Sequence, residues 1–182
     1  MGSARFLPLQ VAAVCYRKRG ASVEFLLVNT TSGDRWIFPK GATARRLSHS
    51  QAAEREALEE AGAVGVIEPQ HFHLYLQPKG VSRLRNGIQE SVVKAFLLQV
   101  SHTQPPQEQK RNPTWFSVAN ARSALAMGRE AKYAAELGTV IDRAVERLSA
   151  EGRIVPDYSR APTYRIWRFL LRLLRLKLPL NR

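Results

Sequence analysis

The stretch that decides the fold is GATARRLSHSQAAEREALEEAGA, residues 41–63. Ser48 and Gln51 have the spacing of a capping box, in which the serine hydroxyl and the glutamine side chain satisfy backbone amides at the start of a helix. The residues that follow are rich in Ala, Glu and Leu, and Gly62 is typical of a helix end. The sequence therefore predicts a helix over residues 51–61.

Three glutamates crowd one face of this predicted helix. Glu56, Glu59 and Glu60 stand at positions i, i+3 and i+4, so their like charges repel unless a cation lies among them. Mg²⁺ suits such carboxylate oxygens, and it can neutralise phosphate and lower the pKa of an attacking water, whose proton a free carboxylate accepts. Arg55 precedes Glu59 by four residues, so it is placed to pair with that acid or to reach a backbone carbonyl and fix the loop. The alternative is a glutamate-rich helix face in contact with solvent.

The spacing around these glutamates favours a catalytic role. Gly41, five residues, Leu47, seven residues and then REALEEAGA at 55–63 resemble the Nudix box. That box is a glycine, five residues, a glutamate, seven residues and Arg-Glu-aliphatic-x-Glu-Glu-x-Gly-aliphatic. One defining position differs, since Leu47 stands where the family has glutamate, which bears on metal number or affinity more than on activity. The resemblance implies an α/β Nudix fold, with a mixed β-sheet sandwiched between α-helices (α/β/α).

The resemblance also implies a metal site. It assigns Glu56 and Glu60 as metal ligands. The main-chain carbonyl of Lys40 or Gly41 would be a further ligand. The implied cofactor is Mg²⁺, with Mn²⁺ as an alternative.

The implied catalytic residues come from the same box. Glu59 would accept the proton of the attacking water, and Arg55 would hold Glu59 in place. Many family members add a late glutamate from a loop, for which Glu108 and Glu90 are the candidates here.

The rest of the chain predicts a mixed α/β domain over residues 1–150. Apolar, β-branched runs predict strands over residues 9–16, 23–29, 36–38, 71–77 and 91–100, with another beginning at 115. Apolar residues at helical spacing predict helices over 119–127 and 130–148. Residues 40–47, 79–86 and 101–112 are polar or contain Gly and Pro, so they are predicted to be loops.

Likeness outside the box narrows the substrate. CYR at 15–17, FLLV at 25–28, DRW at 34–36 and RNPTWF at 111–116 resemble the diphosphoinositol polyphosphate phosphohydrolase branch of the family. PKG at 39–41 is closer to diadenosine tetraphosphate hydrolases. Either substrate carries a dense run of phosphates, for which basic side chains supply the counter-charge. The residues expected to bind these phosphates are Arg17, Arg35, Lys40, Lys110, Arg111 and Arg129.

Charge and cysteine content set the remaining expectations. The formal charge of +13 favours polyanionic partners without choosing among them, and a nucleic acid is not required. Cys15 is the only cysteine, so an internal disulfide is excluded and a reducing, cytoplasmic setting is expected. Residues 151–182 predict a linker and a basic amphipathic helix, which suits packing or self-association into a homo-oligomer better than contact with a membrane surface.

Three functions compete at this point. The first is a metal-dependent pyrophosphohydrolase acting on a diphosphoinositol or diadenosine polyphosphate. The second, within the same enzyme class, is a hydrolase of RNA caps or of another nucleoside diphosphate linked to a second group. The third is a non-catalytic Nudix-like module that binds nucleotide or RNA, which degraded metal glutamates would favour; the glutamates of this box are intact.

Overall fold

The sheet is built around one strand whose two faces are both apolar. A computed structural model describes residues 7–82 and 87–154, without the side chains of 79–89. The strands are β1 Leu9–Arg19, β2 Ser22–Asn29, β3 Trp36–Ile37, β4 Lys40–Ala42, β5 Ala63–Ile67, β6 His73–Ser82, β7 Gly87–Thr103 and β8 Thr114–Ser117. The helices are α1 His49–Ala61, α2 Val118–Ala126 and α3 Ala131–Ala150.

The sheet is mixed, as predicted. Its main path runs in the order β3-β2-β1-β7-β5, while β4 pairs with β1, β6 with β7 and β8 with β2. The central pair β1 and β7 is parallel, and the other pairs are antiparallel. The two parallel strands must both be covered, because parallel sheet is normally buried on its two faces.

Alternation along β1 explains the two covering layers. Ala12, Val14 and Tyr16 belong to a core cluster that includes residues of α2 and α3. Val11, Ala13 and Cys15 point into a second cluster that includes residues of α1. Helices therefore lie on both faces of the sheet, which confirms the predicted α/β/α arrangement.

Two strands were missed by the sequence patterns. Residues 40–47 were predicted to be a loop, but Lys40–Ala42 forms β4, paired with β1. Strand β5 was not predicted, because Gly65 interrupts its apolar pattern; a Cβ at Gly65 would lie 2.0 Å from the Gln99 carbonyl oxygen. Strand β7 also extends to Thr103, into the predicted 101–112 loop. These segments are strands because their backbones pair with neighbouring strands, and a hydropathy pattern does not show such pairing.

Helix α1 has the predicted caps at both ends. Ser48 accepts a hydrogen bond from the Gln51 amide, and the Gln51 side chain accepts one from the Ser48 amide. At the other end Gly62 adopts the left-handed conformation, with φ 62°. The Gly62 carbonyl accepts a bond from the Gln104 amide, and the Glu59 carbonyl accepts one from the Glu108 amide. The segment after β7 thus satisfies carbonyls that the end of a helix leaves without partners.

The predicted C-terminal helix and its linker lie mostly outside the described residues. Ile154, which follows α3, is buried in the core cluster that includes residues of α2 and α3. Arg153 donates to the Tyr16 hydroxyl and to Glu68, which fixes the chain after α3. Among the helices of residues 7–82 and 87–154, none is long and apolar enough to cross a membrane.

Two glycine substitutions test the contact between α1 and the segment after β7. Gly62→Ala would put a Cβ 1.8 Å from the Gln104 carbonyl oxygen, whereas Gly20, also at positive φ, has no atom within 4 Å of its Cβ position. Gly20→Ala should cost about 1 kcal/mol of unfolding free energy, the cost of a left-handed residue. Gly62→Ala should cost at least ~3 kcal/mol, because the clash adds to that strain. Urea unfolding followed by tryptophan fluorescence measures both; equal losses would show that the contact is loose.

Candidate active site

Two carboxylates of α1 are buried against strand β4. Glu56 is 7% exposed and Glu60 is 3% exposed. They are one helical turn apart, so they face the same neighbour. Gly41 makes room for Glu56, since a Cβ at position 41 would lie 2.3 Å from the Glu56 carboxylate. A larger residue at 41 would have to displace the Glu56 carboxylate from its present position.

Glu60 has partners from two distant segments. The Lys40 amide donates to one carboxylate oxygen at 3.1 Å. The Arg111 guanidinium donates to the other at 2.6 Å. Burial raises the pKa of Glu60 to about 7, although the positive charge of Arg111 acts in the opposite direction. A cation near Glu60 would therefore favour its ionised form.

Arg111 also brings a late glutamate to this cluster. Its Nε donates to Glu108 at 2.7 Å, and its Nη1 donates to the Asn29 carbonyl at 3.2 Å. The other late candidate, Glu90, accepts bonds from Lys132 and from the Tyr133 hydroxyl instead. Of the two sequence candidates, the structure places Glu108 beside the glutamates of α1.

Arg55 contacts the remaining glutamates of the helix. Its Nη2 atom lies 2.9 Å from a Glu56 oxygen, and its Nε lies 3.6 Å from a Glu59 oxygen. The Glu59 side chain is 34% exposed, against 10% and 4% for those of Glu56 and Glu60. Glu59 is thus the accessible acid of the three, while the other two are shielded from solvent.

The donor set fits a hard divalent cation. Mg²⁺ usually takes only one or two protein carboxylates and completes its octahedron with water and substrate oxygens. Glu56 and Glu60 supply two buried carboxylates, and the close approach at Gly41 brings backbone to the same place. As the side chains stand, no three acidic, histidine or cysteine residues in the described part of the chain converge as metal ligands. The guanidinium groups of Arg55 and Arg111 contact the two buried carboxylates instead.

A basic cleft lies next to these carboxylates. It has a volume of about 100 Å³, and its lining includes Arg35, Lys40 and Arg129 beside Tyr75 and Tyr133. Burial lowers the pKa of Lys40, while Glu60 partly offsets that effect. The Arg129 guanidinium already donates to two backbone carbonyls, at 2.6 Å each. These bonds use two of its five N–H donors, and its charge remains in the cleft.

The other predicted phosphate-binding residues are not brought to this cleft. Arg17 pairs with Glu24 at 2.7 Å and lies over the Trp115 ring, 4.2 Å from its centroid. It is five residues along β1 from the partner of Lys40, roughly 17 Å away. Lys110 is exposed, with φ 65°. Arg111 is buried among the carboxylates and does not line the cleft.

A comparison with known families decides the assignment. The NUDIX domain family matches residues 7–137. The chain belongs to the Nudix family. Its Nudix box is the segment that carries the buried carboxylates and Glu59, so the resemblance to this family is confirmed.

Curated Nudix relatives match part of the chain. Nudix hydrolase 17, mitochondrial, of Arabidopsis thaliana is 31% identical over 102 residues, which cover 56% of this chain and 54% of that protein. Nudix hydrolase 4 of the same plant is 30% identical over 100 residues, covering 55% and 46%. The chain therefore spans about half the length of the curated relatives it matches.

Solved structures show the same fold at low identity. A C. elegans Ap4A hydrolase in a binary complex is 20% identical, with a TM-score of 0.57 over 79% of this chain and 99% of that chain. The Nudix domain of Shewanella oneidensis NrtR, solved with ADP ribose, is 20% identical, with a TM-score of 0.57 over 79% and 90%. At this identity the likeness shows the fold alone.

Several residues that shape the Nudix site have no sequence signal. The Asn29 carbonyl accepts from Arg111, and Tyr75 and Tyr133 line the cleft. Nothing in their local sequence pattern marks these groups. The sequence identified the segment after β7 in part, because Glu108 was one of two candidates for the late glutamate. Its partner Arg111 was expected to contact substrate, and its pairing with Glu60 was not predicted.

Gly41→Ala tests how tightly Glu56 is held against β4. The added methyl must displace a buried carboxylate, so the variant should lose about 1–3 kcal/mol of unfolding free energy. Gly138→Ala is the matched control, because its nearest neighbour is an arginine nitrogen at 3.8 Å. Alanine at that helical position should be neutral or stabilise by up to ~1 kcal/mol. Urea unfolding measures both; a Gly41→Ala variant as stable as the parent would contradict the close approach.

Proposed function

We propose that this chain is a Mg²⁺-dependent Nudix hydrolase that cleaves a phosphoanhydride bond in a polyphosphorylated small molecule. The observation that carries the proposal is the pair of buried carboxylates, Glu56 and Glu60, with the accessible Glu59 on the same helix turn. Curated relatives named Nudix hydrolases support a hydrolytic role. A binding module without catalytic activity would not need these three glutamates, and all three are present.

The residues of the box divide into metal-holding and proton-handling groups. Glu56, Glu60 and the carbonyl of Lys40 or Gly41 would hold the cation. A bound Mg²⁺, or Mn²⁺ in its place, would neutralise phosphate oxygens and lower the pKa of a coordinated water. Glu59, which is more exposed than its two neighbours, would accept the proton of that water.

Two further residues position this machinery. Arg55 lies within 3.6 Å of Glu59 and restrains its carboxylate. Glu108 lies in the segment hydrogen-bonded to the end of α1 and is the late glutamate that we propose for the site. Glu90 is committed to Lys132 and Tyr133, which makes it the weaker candidate.

The basic cleft suits a substrate with several phosphates. Arg35, Lys40 and Arg129 place three basic side chains around about 100 Å³ beside the carboxylates. The Arg35 Nε atom lies 3.3 Å from a carboxylate oxygen of Asp34. A guanidinium has five N–H groups, so Arg35 can pair with this acid and still donate to phosphate. We propose diphosphoinositol polyphosphates and diadenosine polyphosphates as substrates. The likeness in fold to an Ap4A hydrolase is consistent with the second class, and the ADP-ribose complex of NrtR adds nucleoside diphosphates to the panel.

Location and assembly are further proposals. We retain the cytoplasm as the location, although the names of two curated relatives include the word mitochondrial. Self-association through the predicted C-terminal helix concerns residues outside the described part of the chain.

Carboxamide substitutions test the roles of the glutamates. Glu59→Gln and Glu60→Gln should each lower kcat by roughly 10²-fold or more, because they remove a proton acceptor and a metal ligand. The assay measures phosphate and nucleotide release with Mg²⁺ from diphosphoinositol phosphates, diadenosine polyphosphates, ADP-ribose and capped RNA. Glu54→Gln, on the same helix but outside the box glutamates, is the control and should retain turnover.

The result also ranks the functions. Loss of turnover in both box variants, with a normal Glu54→Gln enzyme, supports the hydrolase and identifies its substrate. A parent protein that turns over none of these compounds but binds RNA tightly would replace the enzyme with the binding module.

Charge removal in the cleft tests where the phosphates bind. Arg35→Gln and Lys40→Gln should raise KM by about ten-fold each, since one charge-assisted contact to phosphate is lost. Arg143→Gln removes the same charge from an exposed position on α3, where the side chain is 58% exposed. That control should leave KM unchanged. An equal rise in KM for all three would indicate a general effect of net charge and not a binding cleft.

A further inference from the structure

Arg111 is the most heavily engaged cation at the Nudix site. It is 9% exposed, and its guanidinium contacts Glu60, Glu108 and the Asn29 carbonyl. Its contact with Glu60 is 2.6 Å long and buried on both sides. Burying an arginine costs side-chain entropy and desolvation free energy. Its three partners compensate for that cost, which sets Arg111 apart from an exposed surface charge.

The backbone around Arg111 is fixed as well. The Asn29 amide donates to the Arg111 carbonyl at 2.6 Å, and the Glu108 amide donates to the Glu59 carbonyl at 2.9 Å. Residues 108–111 are therefore tied to the end of β2 on one side and to the end of α1 on the other. This frame fixes the backbone of Arg111 independently of the contact that its side chain makes with Glu60.

The Glu60 carboxylate cannot bind a divalent cation and the Arg111 guanidinium equally well at the same time. Two positive charges that share one carboxylate lie within a few ångströms and repel, and burial weakens the screening between them. Glu60 is also one of the two carboxylates that fit Mg²⁺. The two cations therefore draw on the same negative charge.

We propose that Arg111 is a positioning residue that competes with the divalent cation for Glu60. This inference rests on the proposed metal site. Metal binding shifts the guanidinium away from Glu60, while Glu108 and the Asn29 carbonyl retain it close by. Arg111 thus lowers the affinity of the site for the cation and couples metal binding to the position of the late glutamate.

The test is a titration of the whole 182-residue chain with Mn²⁺ alone, without substrate, followed by the loss of the free-ion electron paramagnetic resonance signal. Arg111→Gln removes the competing charge and should bind Mn²⁺ roughly ten-fold more tightly. Arg122→Gln is the matched control, because it removes one positive charge from an exposed pair with Asp142. Its affinity should stay within about two-fold of the parent value.

A second variant covers the case in which Arg111→Gln does not fold. Arg111→Lys keeps the buried positive charge but replaces the planar fork with one flexible ammonium group. It should bind Mn²⁺ about three-fold more tightly than the parent, because one point charge holds Glu60 less firmly. A residue with only a structural role would change affinity in the opposite direction, since a loosened site binds metal more weakly.

The outcomes separate the inference from the proposed function. Tighter Mn²⁺ binding by the Arg111 variants, with a normal Arg122→Gln protein, supports competition. Unchanged or weaker binding overturns it, and Mg²⁺-dependent turnover by the parent would still leave the hydrolase standing. Absence of Mn²⁺ binding in the parent and in every variant would overturn both the metal site and the competition.

Discussion

Burial of the Glu56 and Glu60 carboxylates between α1 and β4 is the constraint on which the rest of the site depends. A buried carboxylate is costly unless hydrogen bonds and opposite charge compensate for lost water. Compensation for Glu60 comes from the Lys40 amide and Arg111, and for Glu56 from Arg55. Removing a partner would leave a buried charge unpaired, so these segments are constrained together.

This constraint explains features that otherwise look unrelated. Gly41 is small because the Glu56 carboxylate occupies the space of its Cβ. Gly62 ends α1 in a left-handed conformation that accommodates the Gln104 carbonyl, and this approach lets residues 104–108 cap the helix. The same segment then delivers Glu108 and Arg111 to the carboxylates. The segment that caps the helix is therefore also the segment that completes the site.

The sequence predicted the parts of the site that are close together along the chain. The capping box, the terminal Gly62 and the three glutamates on one helix face all follow from spacings of a few residues, and the structure has them as expected. The pairing of Arg111 with Glu60 spans 51 positions and depends on where the segment after β7 runs. No local pattern encodes that path.

The same limit applies to the strands and to the cleft. Long apolar runs identified β1, β2 and β7, but β4 is a three-residue strand defined only by its pairing with β1. Six basic residues were equivalent candidates for phosphate until the sheet register separated Arg17 from Lys40 and left Arg35 and Lys40 in one cleft. A single sequence does not show which distant side chains come together in the fold.

The most direct test of the central claim is anomalous X-ray diffraction from crystals of the protein saturated with Mn²⁺. The account predicts a manganese peak in direct contact with carboxylate oxygens of both Glu56 and Glu60, with the Arg111 guanidinium moved off Glu60 and still paired with Glu108. A saturated crystal in which no peak lies between these carboxylates, and in which Arg111 remains on Glu60, would contradict the account.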